Sequence, residues 1–202
     1  MFTIIRLIIG CLLFACSIPI IIKSKATKKT NQYIISAAVV ITLTVASMFL
    51  PIENLFVTFD SPRSSYGYTK SGEKDIVLVV EGQNSDLVVG EENNADIYLI
   101  IPKIEDGWKI GLGINTKLTT QKVVDGIIVS VYRYKDTGDY YVTVFDTAGG
   151  HEEITDSENS NFLHLEKYDD ALDKTFVTYY AHVYDLDSQY WISINGEKIA
   201  LA

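Results

Sequence analysis

Apolar residues run almost unbroken at the start of this chain and alternate with polar ones over most of the rest. From Leu7 to Ile22 no residue is charged, and extending the run back to Phe2 admits only Arg6. A second uncharged run, Tyr33 to Leu50, is closed by Pro51. A helix rises about 1.5 Å per residue, so runs of this length reach across the roughly 30 Å hydrocarbon core of a bilayer. The pattern predicts two transmembrane helices, about 2–22 and 33–51, forming a hairpin over residues 1–52 with a loop at 23–32. Arg6 lies one turn from the start, where it can snorkel to the interface, and Tyr33 suits an interfacial belt.

Residues 53–74 form a juxtamembrane segment with one short helix. Ser61 can cap it, Pro62 suits its first position and Gly72 can end it. Over residues 75–202 the period changes to two. Candidate strands are 75–81, 87–90, 96–103, 109–114, 123–135, 140–146, 162–166, 175–184, 190–194 and 197–201. They are rich in Val, Ile, Tyr and Thr and are separated by Gly, Asn and Asp. Asn195-Gly196 is a two-residue type I′ turn pair, and Gly138 can take the positive φ of a bulged turn after Asp136-Thr137. The predicted fold is therefore membrane-anchored and mainly β. A transmembrane hairpin precedes an antiparallel β-sandwich or partly closed barrel with one short helix. In the segment 175–184, Val177, Tyr179, Ala181 and Val183 share one face and are expected to point to the core. Thr178, Tyr180, His182 and Tyr184 share the other.

Charge divides the chain at the same place. Arg6, Lys23, Lys25, Lys28 and Lys29 are the only charged residues before Glu53, and all 26 acidic residues follow. Four lysines in one short loop place that loop in the cytoplasm by the positive-inside rule, with both termini and the β domain outside. An acidic domain is a poor partner for phosphates, which argues against nucleic acid. The domain holds no cysteine, so it has neither disulfide staples nor thiolate chemistry, as suits a bacterial extracytoplasmic domain. Leu13-Phe14-Ala15-Cys16 resembles a lipoprotein cleavage box. The apolar run continues to Ile22, however, so Cys16 is read as a helix residue.

The chain carries no catalytic signature. GxSxG, HExxH and phosphate-cradling loops are absent. His151, His164 and His182 have no metal-ligand spacing. The segment 151–173 carries eight carboxylates against Lys167 alone. Its Asp156-Ser157-Glu158-Asn159-Ser160-Asn161 looks like the start of a calcium loop but lacks the glycine such a loop needs at its sixth position. No catalytic, cofactor or metal residue is assigned. Twelve of the thirteen tyrosines follow residue 52, ten of them in the β domain, where rings offer contact area at low entropy cost.

The expected function is thus non-enzymatic. The bilayer holds two helices, and the β domain recognises a protein or glycan outside the cell. Three alternatives follow from other features. Ser36, Ala37, Ala38, Ala46 and Ser47 permit close helix contact, as in an accessory subunit of a membrane complex. Asp156, Glu158, Asp185 and Asp187 could serve a membrane-tethered hydrolase. A helical hairpin followed by a β domain also resembles, in architecture, bacterial membrane-anchored pleckstrin-homology-like proteins. That resemblance implies a cytoplasmic domain, opposite to the lysine loop.

Overall fold

The computed structural model describes residues 2–23, 29–49, 51–70, 76–92, 95–111, 116–147, 152–169 and 172–201. Helices α1 (Phe2–Lys23) and α2 (Lys29–Phe49) are both long and apolar enough to cross a membrane. Their outward faces are apolar and open, with Leu12, Ile20, Ile34 and Ile41 each at least 60% exposed. Among the described side chains of α1, Arg6, Gly10, Phe14, Ser17 and Ile21 are shielded at helical spacing along one face, with Ile18 beside Ser17. Ser36 Oγ donates to Ser17 Oγ at 2.8 Å across the hairpin. Of the small residues of α2, Ala37 joins Ser36 on the α1 side, whereas Ala38 and Ala46 point outward. A Cβ on Gly10 would stand 2.6 Å from Thr44 Oγ1, so glycine is what lets the helices close there. Gly10→Leu is expected to part the hairpin. In a Cys11→Ser/Cys16→Ser background, it should abolish disulfide formation between Ser17→Cys and Ser36→Cys. Undiminished crosslinking would show that Gly10 does not set the approach.

A 3₁₀ turn (Ile52–Leu55) and helix α3 (Pro62–Thr69) connect the hairpin to the sheets. Ser61 Oγ accepts from the Ser64 amide at 3.1 Å, and Pro62 takes the first turn, as the residues predict. The helix ends at Thr69; Gly72 lies outside the described residues. The connection is stitched to the domain. The Asn54 side chain donates to Ile110 O and accepts from Ile110 N, imitating a strand pair. Phe59 and Trp108 exchange two backbone bonds at 2.9 Å.

Twelve strands are present among the described residues, all in antiparallel pairs. One sheet runs β1 (Ile76–Glu81), β2 (Ser85–Glu92), β3 (Ala95–Ile104), β4 (Gly107–Trp108). The second runs β5 (Thr116–Val124), β6 (Ile127–Tyr134), β7 (Asp139–Asp146), β10 (Lys174–Tyr184), β9 (Leu163–Asp169). The third runs β12 (Glu197–Ala200), β11 (Trp191–Ile194), β8 (Ile154–Asp156). No sheet closes into a barrel among the described residues.

The cores show how the layers stack. Val129, Val131, Val142, Val144, Val177 and Val183 of the central sheet pack on Tyr190, Ile192 and Ile199 at the third sheet. Its other face carries Tyr134, Tyr141 and Tyr180, which pack on Val80, Leu87, Val89 and Ile100 of the first sheet. The first sheet's far face, with Val88, Leu99 and Ile101, receives Tyr66 of α3. Gly90 lies directly under that ring, where a Cβ would fall 2.2 Å from Tyr66 Oη.

Two sequence expectations need correcting. The single strand 123–135 is a hairpin of β5 and β6. Asp125 (φ 49°) and Gly126 (φ 84°) form the same kind of primed turn as Asn195 (φ 50°) and Gly196 (φ 87°). Segment 109–114 is not a strand in its described part, since β4 holds only Gly107–Trp108, and β8 was not foreseen. The face of β10 with Thr178, Tyr180 and His182 also packs on a core, and Tyr180 is fully buried. Alternation with polar residues reads as solvent exposure on one side, but here another sheet covers that side.

Candidate ligand-binding groove

Between the first and central sheets lies a groove of about 870 Å³, lined by residues of both. Its floor is aromatic. Phe145 of β7 and Phe176 of β10 stack with ring centroids 5.8 Å apart, and Thr178, nearly buried, lies beside them. Tyr98 of β3 forms the facing wall, 6.1 Å from the Tyr180 ring, and burial pushes its phenol pKa up. Along β9, Glu166, Lys167, Tyr168 and Asp169 form the rim.

The strand registers bring these residues together. Phe176 is paired with Lys167, and Thr178 with Leu165, so Lys167 continues the inward phase of Leu163 and Leu165. On β3, Asp96 continues the inward phase of Tyr98 and Ile100. The two in-phase charges meet between the two sheets. Lys167 Nζ lies 2.5 Å from Asp96 Oδ1 and 3.6 Å from Glu91 Oε1. Tyr180 Oη donates to Asp96 Oδ2 at 3.4 Å. The groove thus offers ring faces, carboxylates and one ammonium. A set of this kind can hold and orient a ligand.

Elsewhere between the same two sheets, a polar clamp is buried. Asp139, fully enclosed, accepts from the amides of Gln83 (3.1 Å) and Asn84 (2.8 Å) and from Ser85 Oγ (2.8 Å). His182 Nε2 lies 2.8 Å from Asp139 Oδ1 and must carry the proton, because a carboxylate only accepts. Burial raises the Asp139 pKa, but the bonds from His182, Ser85, Asn84 and Gln83 outweigh it and hold the carboxyl below its usual range. Tyr141 Oη donates to Ser85 O at 2.7 Å. The order of contacts is Ser–Asp–His, with the carboxylate in the middle. Ser85 therefore bonds the carboxylate directly and not the imidazole, and the group joins the β1–β2 turn to β7 and β10. Next to it, buried Asp86 accepts from Trp108 Nε1 at 2.5 Å and pairs with Lys103 Nζ at 3.1 Å.

The carboxylates singled out in the sequence are not gathered. Asp156 is buried, and its Oδ1 accepts from the amides of Glu158 and Ser160 while Oδ2 accepts from Tyr190 Oη at 2.8 Å. The calcium-loop reading thus meets an Asx turn whose carboxylate is already occupied. Asp187 Oδ1 likewise accepts from the Gln189 amide, and Asp185 sits in a turn with φ 49°. No group of three His, Cys, Asp or Glu side chains is placed to hold a metal ion among the described residues. His164 lies on β9 beside the Tyr179 ring, and His151 lies outside the described residues. No protein-family model, curated protein or solved structure matches this chain.

Proposed function

We propose that this protein is a bilayer-held recognition module. Two helices span the membrane and place the β domain at its outer face, where the groove beside Phe145, Phe176 and Asp96 binds a ligand without transforming it. The groove carries this reading, because it combines ring faces with carboxylates between two sheets. Lipid is the solvent that suits the outward faces of α1 and α2, which expose Leu7, Leu12, Ile20, Ile34, Ile41 and Leu43. Leu55 and Phe56, 77% and 82% exposed, lie close after α2, where an interface would receive them. Arg6, which by its charge argues against an outside N-terminus, is paired with Glu53, so the loop lysines decide the orientation.

Orientation and groove are tested together in cells lacking the native cysteines. Single cysteines at Asp136, Leu172 and Thr27 are treated with a membrane-impermeant maleimide; Asp136 and Leu172 are exposed, whereas buried Ser85 would stay silent in either orientation. Labelling of Asp136→Cys and Leu172→Cys but not Thr27→Cys is expected. A photo-crosslinking residue at Tyr168, on the groove rim, should capture a discrete partner that Phe176→Ala eliminates, and the same residue at exposed Glu105 should not. Labelling of Thr27→Cys alone would put the domain in the cytoplasm. Equal capture from both positions would remove the groove as the site.

A further inference from the structure

An amine and a carboxyl group are held here closer than an ion pair needs. Lys167 Nζ stands 2.5 Å from Asp96 Oδ1, whereas charge-assisted N–H···O bonds run at about 2.7–2.9 Å. The contact also lacks the alignment of a hydrogen bond, and both atoms are enclosed. Glu91 Oε1 lies 3.6 Å from the same nitrogen. We propose that Lys167 and Asp96 condense to an intramolecular amide, with Glu91 as the proton carrier, so that β9 of the central sheet and β3 of the first become covalently joined. Such a bond is independent of what the groove recognises.

The step balances without an outside reagent. Glu91 relays a proton from the Lys167 ammonium to Asp96 Oδ1, which leaves a neutral amine beside a neutral acid. The nitrogen lone pair then adds to Asp96 Cγ, and the C–N bond forms as the carbonyl π pair moves onto Oδ2. Glu91 relays a second proton from nitrogen to Oδ1. The Cγ–Oδ1 bond breaks, Oδ1 departs as water, and the pair on Oδ2 restores the carbonyl. Nitrogen loses two protons and the departing oxygen gains two, so nothing is oxidised or reduced. Tyr180 Oη donates to Asp96 Oδ2 at 3.4 Å and so faces the oxygen on which negative charge gathers.

The surroundings favour the forward direction. Tyr98 and Tyr180 belong to the core between the two sheets, and Phe176 is the strand partner of Lys167. Their rings lower the local polarity, which penalises separated charge, and restrict the water that would reverse the step. Strand register holds the two groups in contact, which replaces an encounter in solution. The chain has no cysteine after Cys16, so no disulfide can join these sheets. An amide between residues 96 and 167 would constrain the unfolded chain in the same way.

The intact mass of the full chain, purified in detergent and then denatured, reads the bond directly. The chain is expected to be lighter than its sequence by one water. Proteolysis should release a branched peptide that joins the segment holding Asp96 to the segment holding Lys167. Lys167→Arg keeps the charge but removes the nucleophile, and Asp96→Ala removes the acceptor. Both should show the full sequence mass, as should Glu91→Gln, each read on protein whose near-ultraviolet circular dichroism shows it folded. A native chain at full sequence mass with no branched peptide would overturn the proposal and leave a close ion pair. Loss of a water that maps elsewhere, such as to a cyclised aspartate, would overturn it equally. An amide that still forms in Glu91→Gln would take the proton relay away from Glu91.

Discussion

Asp139→Ala is expected to lower the unfolding free energy of the β domain by about 3–5 kcal/mol, the scale seen when one partner of a buried charged network is removed. The variant leaves four donors facing an empty site: the amides of Gln83 and Asn84, Ser85 Oγ and His182 Nε2. Ser85 and Asp139 are both fully buried, so water has little access to replace the carboxylate. The clamp also joins the first sheet to the second, and its loss should loosen both. Denaturant unfolding followed by Trp108 and Trp191 fluorescence reads the effect. A loss under about 1 kcal/mol would mean that the network relaxes around the gap. The pH dependence has a defined sign. The Asp139 carboxyl is held below its ordinary 3.8, so its contribution is full above that value and is lost as pH falls through it toward the folded value. Asp139→Asn should flatten this part of the acid-stability curve. An unchanged curve would take the acid response away from Asp139.

The second large effect concerns the join between hairpin and domain. Arg6 and Glu53 form a two-pronged pair, with Nε to Oε1 at 3.2 Å and a terminal guanidinium nitrogen to Oε2 at 2.5 Å. The Arg6 side chain is 4% exposed and that of Glu53 17%. Arg6→Leu leaves a carboxylate beside an apolar helix pair and is expected to cost about 3 kcal/mol or more. The double variant Arg6→Leu/Glu53→Leu should cost less than Arg6→Leu alone, because no bare charge remains. Unfolding of the full chain by sodium dodecyl sulfate in mixed micelles measures both. If the costs of the two single changes simply add, the residues act separately and the pair does not couple hairpin to domain. Asn54 lies next to Glu53 and grips Ile110, so a loosened pair should also show as proteolytic cleavage between α2 and α3.

Much of the fold was legible residue by residue. The uncharged runs placed α1 and α2, although α2 starts at Lys29 rather than Tyr33 because polar Thr30, Asn31 and Gln32 extend it. Ser61-Pro62 marked α3, and Asn195-Gly196 marked the last hairpin. Asp125-Gly126 carries the same signal, but the β-branched residues on both sides of it look like one continuous strand. The groove had a fainter trace. Asp96 and Lys167 each stand where the alternation of their strands calls for an apolar residue, and a charge in that phase announces a partner on the facing layer. The acidic run 151–173, by contrast, drew attention through composition alone. Of its described residues, Glu166, Lys167, Tyr168 and Asp169 reach the groove, and Asp156 is spent on a turn.

By itself, then, the sequence determined those properties that depend on near neighbours. These are two helices long and apolar enough for a bilayer, an acidic β-rich remainder, and several of its turns. Periodicity, caps and turn residues act over a few positions, so each can be read where it stands. Tertiary structure alone decided that β10 is buried on both faces, that Asp139 gathers donors from Gln83 to His182, and that Asp96 meets Lys167 above a floor of Phe145 and Phe176. Those outcomes depend on which sheet covers which. A strand's alternation states only that it has two faces, and the layer packed against each face decides what that face becomes.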